Sequence, residues 1–253
     1  MNSNVTALVA ARMGSSRFAG KSLADLCGKP AIERLVERMR ASDAIDRVVL
    51  ATTELATDDS LEAWCATAGV ECFRGSSDDV LGRLRGAAEK FDCEVLVEAL
   101  GDNPLIHSDL IDAALALFED GGYDYVATVT NEYPKADPSL RRFPIGIRPQ
   151  IMSIDALRRC EEMATHPNHR EHSTSLIAQN PDLFKTGYVE AAGPFADLNR
   201  PELTFAVNHR ENHDLVRAIF EKGLEIDANF SVSDAVRIFD ANPDLKPLMG
   251  AQE

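Results

Sequence analysis

The chain of 253 residues has no apolar run approaching the roughly 20 residues that a membrane-spanning helix needs. Its opening stretch, MNSNVTALVAARMG, has no basic leader and reads as a first strand, so no signal peptide is expected. Cysteine is sparse: Cys27, Cys65, Cys72, Cys93 and Cys160 are odd in number and scattered, and none forms a CxxC pair. They are expected to be reduced core thiols of a cytoplasmic protein. Aromatic residues make up only 6% of the chain. Trp64 and the scattered phenylalanines are core candidates by spacing, and with no basic interleaving they do not suggest base stacking on nucleic acid. A positive balance is also missing. The net charge of -15 argues against nucleic acid as the main partner. Repeats and low-complexity tracts are absent.

What the chain does have is a local excess of positive charge. Residues 1–40 carry seven Lys/Arg against three Asp/Glu, a focused anion site inside an acidic protein. Much of it sits in ARMGSSRFAGKSL, Ala11 to Leu23, which follows the apolar run VTALVA. Glycine lets a backbone approach a ligand closely, and serine hydroxyls and free amides receive anions. Arg12, Arg17 and Lys21 add fixed charge, so a phosphate-bearing ligand is expected. The loop has neither the GxGxxG spacing of a dinucleotide-binding dehydrogenase nor that of a Walker A loop.

Apolar strand-like runs alternate with amphipathic segments. VTALVAAR, DRVVLATT, VECFRG, EVLVEALGD and DYVATVT read as strands. PAIERLVERMRAS, DDSLEAWCATAG, DVLGRLRGAAEKF and HSDLIDAALALFEDGG have helical spacing. The pattern predicts an α/β domain with a parallel sheet covered by helices on both faces and ligands at the carboxyl ends of the strands. The basic loop lies at such an end, as does GDNPL, where Asp102 follows a buried strand. A carboxylate there costs desolvation energy unless it is paired or holds a cation. An Asp facing Arg and Lys is the minimum kit for nucleotidyl transfer from a magnesium-bound nucleoside triphosphate. After about Asn131 the pattern changes. The polar NEYPKADPSLRRFPIG reads as a loop or flap, IGIRPQIMS as a strand, and IDALRRCEEMA as a helix. HPNHREHSTSLIAQNPDLF reads as one further helix, LTFAVN as a strand returning to the sheet, and ENHDLVRAIFEKG as the helix behind it. SVSDAVRIFDANPDL carries a capping-box signature at Ser231 and Asp234. One domain over 1–253 is expected, with an inserted lobe at about 131–200.

ARMGSSRFAGKSL, VVLATT, FRGSSDDVLGRL, GDNPLI, REHSTSLI and LVRAIFE resemble, in order and interval, the cytidylyltransferase family. That family includes the acylneuraminate and 3-deoxy-manno-octulosonate cytidylyltransferases, and the nearest branch is similar to the one named for spore-coat polysaccharide biosynthesis. The resemblance, which spans about Val5 to Phe220, implies a Rossmann-like nucleotidyltransferase fold of the nucleotide-diphospho-sugar transferase type, with an inserted dimerisation lobe. It implies attack by an acceptor oxygen on the α-phosphorus of CTP, release of pyrophosphate, Mg²⁺ as cofactor and a homodimer. Arg12, Lys21 and Asp102 would be catalytic. Ala11, Arg12, Gly14, Ser15, Arg17 and Lys21 would hold the triphosphate, with Arg74, Ser76 and Asp79 bordering base and ribose. Asp102 and Asn208 would be the metal positions.

The chain departs from this branch in places. Where relatives carry acids in a GLDVEVF-like strand it has GIRPQIMS, with Arg148 and Gln150. Where they end a strand in TVD it has FAVNH, with Asn208. The basic residue usual before the GD turn is Glu98. Either the acceptor has changed, with Arg148, Gln150 and His209 meeting a small anionic substrate, or catalysis has decayed and left a nucleotide- or partner-binding protein. A UTP- or GTP-dependent enzyme on the same fold is a third reading. His166, His169 and His172 invite a zinc reading, but their segment matches the family's Arg-Glu-His helix and reads better as an interface or capping helix. Cys27 has no base in reach and reads as a structural thiol.

Overall fold

A computed structural model describes residues 4–132 and 137–250. Strands and helices alternate through the first half: β1 (Val5–Ala10), α1 (Ala31–Arg40), β2 (Arg47–Thr53), α2 (Asp59–Ala68), β3 (Glu71–Gly75), α3 (Val80–Lys90), β4 (Val95–Leu100), α4 (Ser108–Gly121) and β5 (Tyr125–Thr128). There follow β6 (Gln150–Ser153), α5 (Ile154–Met163), α6 (Pro167–Glu171), α7 (Ser175–Gln179), β7 (Thr186–Val189), α8 (Arg210–Ile226) and α9 (Val232–Ala241).

One seven-stranded sheet has the order β3-β2-β1-β4-β6-β5-β7. It is mixed, which corrects the parallel sheet expected from the sequence. β6 runs antiparallel to both β4 and β5, while the other pairs are parallel. The alternation in β1 divides its side chains between two faces, as the period of two requires. Val5, Ala7 and Val9 pack with Ile32, Leu35 and Met39 of α1 and Ile111 of α4. Leu8 packs on the other face with Leu81 and Leu84 of α3 and Leu157 of α5. A third core gathers α8 and α9 around Phe143, Phe205, Phe220 and Phe230.

Three further expectations are corrected. LTFAVN is not a strand of the sheet: Thr204 makes an isolated bridge with Ile145, and Leu203, Phe205 and Val207 feed the third core. The run HPNHREHSTSLIAQ is two short helices, broken between Glu171 and Ser175. KTGYVE, too short and polar to stand out as a strand in the sequence, supplies the edge strand β7. Residues 133–136 of the expected flap lie outside the described residues. Within the stretch expected as an inserted lobe, β6 enters the main sheet between β4 and β5. No helix among the described residues is long and apolar enough to cross a membrane.

Candidate active site

The parallel strands deliver their carboxyl ends to one edge, and β1 and β4 come unusually close there. A Cβ built on Gly101 would fall 2.6 Å from that of Ala11, so only glycine fits where the Gly101 amide donates to the Ala10 carbonyl at 2.9 Å. The loop leaving β1 closes on itself. The Met13 carbonyl accepts from the Ser15 and Gly20 amides at 3.0 and 3.1 Å, and Gly20 takes a left-handed φ of 76°. Asp58, buried beneath it, holds its root: Oδ1 accepts from the Met13 amide at 2.8 Å, and Oδ2 from the Thr52 hydroxyl at 3.0 Å and the Thr53 amide at 3.2 Å. Burial alone would raise the Asp58 pKa, but hydrogen bonds from Thr53, the Met13 amide and Thr52 outweigh it and hold the carboxyl below its usual range. From the other side Phe18 is clasped by α8. The His213 ring meets it edge-on at 5.6 Å and the Arg210 guanidinium lies 5.7 Å from its centroid.

These elements enclose a cavity of about 300 Å³. Its lining brings together Ala11, Arg12, Ser15, Arg17, Lys21 and Asp102, all anticipated from the sequence. Lys21 Nζ donates to Asp102 Oδ2 at 2.6 Å and to the Val207 carbonyl at 3.0 Å. The two side chains are 15% and 21% exposed, so the pair borders solvent and remains open to a ligand. The apolar run LTFAVN finds its role here. Gly146, at φ 91°, lies so close to this segment that a Cβ would sit 2.3 Å from the Ala206 nitrogen. The segment is thereby set for the Val207 amide to donate to the Asp102 carbonyl at 2.8 Å. Asn208 follows directly and does not line the cavity.

Other anticipated residues stand elsewhere. Gly14 is exposed with open space beside it. Arg74 is committed to Asp59 and Glu62 at 2.7 and 2.8 Å and to the Thr53 and Leu55 carbonyls. Ser76 Oγ accepts from the Asp78 and Asp79 amides, and Asp79 caps α3 through the Gly82 amide at 2.8 Å. His209 is the cap residue of α8, its amide donating to Asn212 Oδ1 at 3.0 Å. Arg83, Glu171 and His172 line the cavity although the sequence reading gave them no place in it. Arg83 was hidden in the apolar spacing of α3. His172 and Glu171 were read as a capping or interface helix.

A second cavity, of about 540 Å³, lies against β5, β7 and α7 and is lined in part by Tyr125, Thr128, Arg148, Thr174, Thr186 and Tyr188. The corner between α6 and α7 separates the two spaces: His172 faces the first and Thr174, two residues on, faces the second. Beneath it runs a buried polar network. Arg148 Nη2 donates to the Tyr125 hydroxyl at 2.6 Å, and Tyr125 in turn donates to Gln150 Oε1 at 2.8 Å. Gln150 Nε2 donates to Glu98 Oε2 at 3.2 Å, and the Ser173 hydroxyl reaches both Glu98 oxygens. Gln150 is thus part of the core between β4 and β5, with Arg148 and Tyr125 as the members that reach a cavity. Burial pushes the Glu98 carboxyl up, against the opposing effects of Ser173 and Arg148.

A cationic cavity of about 300 Å³ at the carboxyl edge of an α/β sheet is open to several nucleotide chemistries, and comparison with known proteins narrows them. The model of the cytidylyltransferase family matches residues 6–141. Over 242 residues the chain is 29% identical to the spore coat polysaccharide biosynthesis protein SpsF of Bacillus subtilis, with 94% of each protein covered. Over 115 residues it is 36% identical to the 3-deoxy-manno-octulosonate cytidylyltransferase of Geobacter sulfurreducens, covering 45% of this chain and 44% of that one. A solved cytidylyltransferase structure from Leptospira borgpetersenii superposes with a TM-score of 0.86 over 99% of both chains, at 24% identity, and so shares the fold. The matched stretch takes in both the basic loop and the turn carrying Asp102, and with more than half of its length inside the family model this chain belongs to the cytidylyltransferase family.

Proposed function

We propose that the protein transfers a cytidylyl group from CTP to a small anionic acceptor, a sugar acid or related surface-polysaccharide precursor, releasing pyrophosphate. The observation that carries this reading is the Lys21–Asp102 pair, 2.6 Å apart in a cavity that also holds Arg12, Ser15 and Arg17. Attack by an acceptor oxygen on the α-phosphorus places charge on the phosphoryl oxygens and on the departing pyrophosphate. Cations already fixed in place stabilise that charge without reorganising, which is usually the largest catalytic effect. Arg12 and Arg17 grip the triphosphate tail, while Lys21, held by Asp102 and the Val207 carbonyl, sits ready for the bridging oxygens.

The carboxylate of Asp102 on the cavity wall suits a magnesium ion that keeps most of its waters and takes phosphate oxygens. Among the described residues no cluster of three His, Cys, Asp or Glu offers a closed metal cage. Asp102 would hold the ion, which when bound neutralises phosphate charge; Asn208, the second metal position the resemblance implies, lies off the cavity lining. The acceptor fits the second cavity. Its hydroxyl and phenol groups suit a polyhydroxylated molecule, and the Arg148 guanidinium, oriented by Tyr125, suits a carboxylate or phosphate. The Thr128 hydroxyl, in a residue 1% exposed on the wall of that cavity, is left without a partner. The protein is read as a cytoplasmic homodimer, which a molar-mass measurement in solution checks.

The test is thermal unfolding with CTP, UTP, GTP and ATP, each with and without Mg²⁺. CTP at about 100 times its Kd is expected to stabilise by about 2.7 kcal/mol. A larger shift with UTP or GTP would reassign the nucleotide. A CTP-selective shift with no pyrophosphate released across a panel of sugar acids would favour a non-catalytic binder.

A further inference from the structure

Arg83 stands next to last in the FRGSSDDVLGRL stretch but was given no role in the cavity there, yet it is the most deeply buried cation lining it. It is 4% exposed, near the start of α3. Its stem packs beside the end of β3, where a Cβ on Gly75 would lie 3.1 Å from its Cγ. Nη1 donates to the Ser76 carbonyl at 2.6 Å, whereas Nε is buried and has no partner. Among the described residues it makes no ion pair. Burial and the positive charge of Arg12 both work against its charged form, and the carboxylates of Asp58 and Asp79 only partly offset them.

A buried guanidinium is costly unless it is paired and hydrogen-bonded. Tethering the Ser76 carbonyl needs one nitrogen and no positive charge, so that role leaves the rest of the group unaccounted for. An anion within the cavity would pair the guanidinium charge and relieve the repulsion between the two arginines. We propose that Arg83 is a binding residue for the nucleotide, its guanidinium taking a phosphate oxygen from the cavity while Nη1 stays on the Ser76 carbonyl. This rests on the nucleotide reading above and adds to it a fourth cation, contributed by α3, beside the three of the β1 loop.

The experiment measures the affinity of wild type, Arg83→Met and Arg83→Lys for CTP and for inorganic tripolyphosphate, the second by displacement of CTP. Arg83→Met is expected to weaken both ligands by the same factor, about 10- to 100-fold. Arg83→Lys keeps the charge but not the planar guanidinium fork, and is expected to lose several-fold on both ligands. It serves as the reporter if the methionine variant does not fold. Loss confined to CTP, with tripolyphosphate unchanged, would put Arg83 on the nucleoside and overturn the proposal. Wild-type affinities in both variants would leave Arg83 as a tether for Ser76 and overturn it as well. A wild-type protein that binds neither ligand would instead sink the nucleotide reading itself.

Discussion

At the scale of single residues, the chemistry rests on charges whose positions are fixed before a ligand arrives. Lys21 illustrates this, because its ammonium is held by a carboxylate on one side and a backbone carbonyl on the other. Lys21→Ala and Asp102→Ala are each expected to lower kcat/KM by about 3 kcal/mol or more, a factor of at least about 100. Steady-state pyrophosphate release measures it, and near-wild-type rates in either variant would remove the proposed mechanism. Arg12, Arg17, Lys21 and Asp102 were legible in the sequence because each stands in a short stretch whose polarity has no structural excuse. Arg83 was not, because a buried arginine within a helical apolar pattern looks like any other helical position until the neighbouring loop is folded against it. Gln150 shows the converse. It sits in a motif compared with an acidic pair in relatives, but its amide is used up by Tyr125, Thr174 and Glu98 inside the core.

At the scale of elements, local signals and long-range ones separate cleanly. The capping box was readable three residues apart: Asp234 accepts from the Ser231 amide at 2.9 Å, and Ser231 Oγ accepts from the Asp234 amide at 3.1 Å. β1 to β5 were readable from their Val-rich runs. The place of β6 was not, because an antiparallel insertion between β4 and β5 depends on where a long connection returns, which no window of sequence encodes. LTFAVN looked like a strand because burial makes any segment apolar. Its hydrophobic side chains serve the α8–α9 core, and its backbone serves Lys21. Two substitutions distinguish these roles. Ser231→Ala is expected to cost about 1 kcal/mol in urea unfolding with unchanged kcat. Gly146→Ala forces a left-handed φ on alanine and drives its Cβ into the Ala206 backbone, so about 1–3 kcal/mol of stability is expected to go. Because the displaced segment carries the Val207 carbonyl, turnover is expected to fall as well. A Gly146→Ala enzyme with full kcat would disconnect that segment from the site.

At the scale of the whole molecule, titratable groups buried under the two cavities pull the pH dependence of stability in opposite directions. Asp58 has its folded pKa lowered. Its contribution is complete above the ordinary Asp value of 3.8 and is lost as pH falls through the folded pKa, because the unfolded chain takes the proton first. Glu98 has its folded pKa raised by burial. Between 4.5 and that value the folded protein keeps a proton the unfolded chain has released, so stability declines as pH rises across the window. His107 and His213, both depressed by burial, act against Glu98: their charging in the unfolded chain removes stability as pH falls below about 6.5. The wild-type curve therefore blends these effects, and the informative quantity is the difference between variant and wild type. Replacing Glu98 by glutamine leaves Ser173 and Gln150 a neutral partner of the same shape, and imperfect hydrogen bonding there adds the same offset at every pH. The charge contributes a part that is not constant. The stability of Glu98→Gln relative to wild type is expected to rise from about pH 4.5 upward and then level off above the folded pKa. Urea midpoints taken at half-unit steps from pH 4 to 8 read this directly. Parallel curves would mean that Glu98 is no more costly to ionise in the folded protein than in water, and that Arg148 and Ser173 compensate fully for its burial.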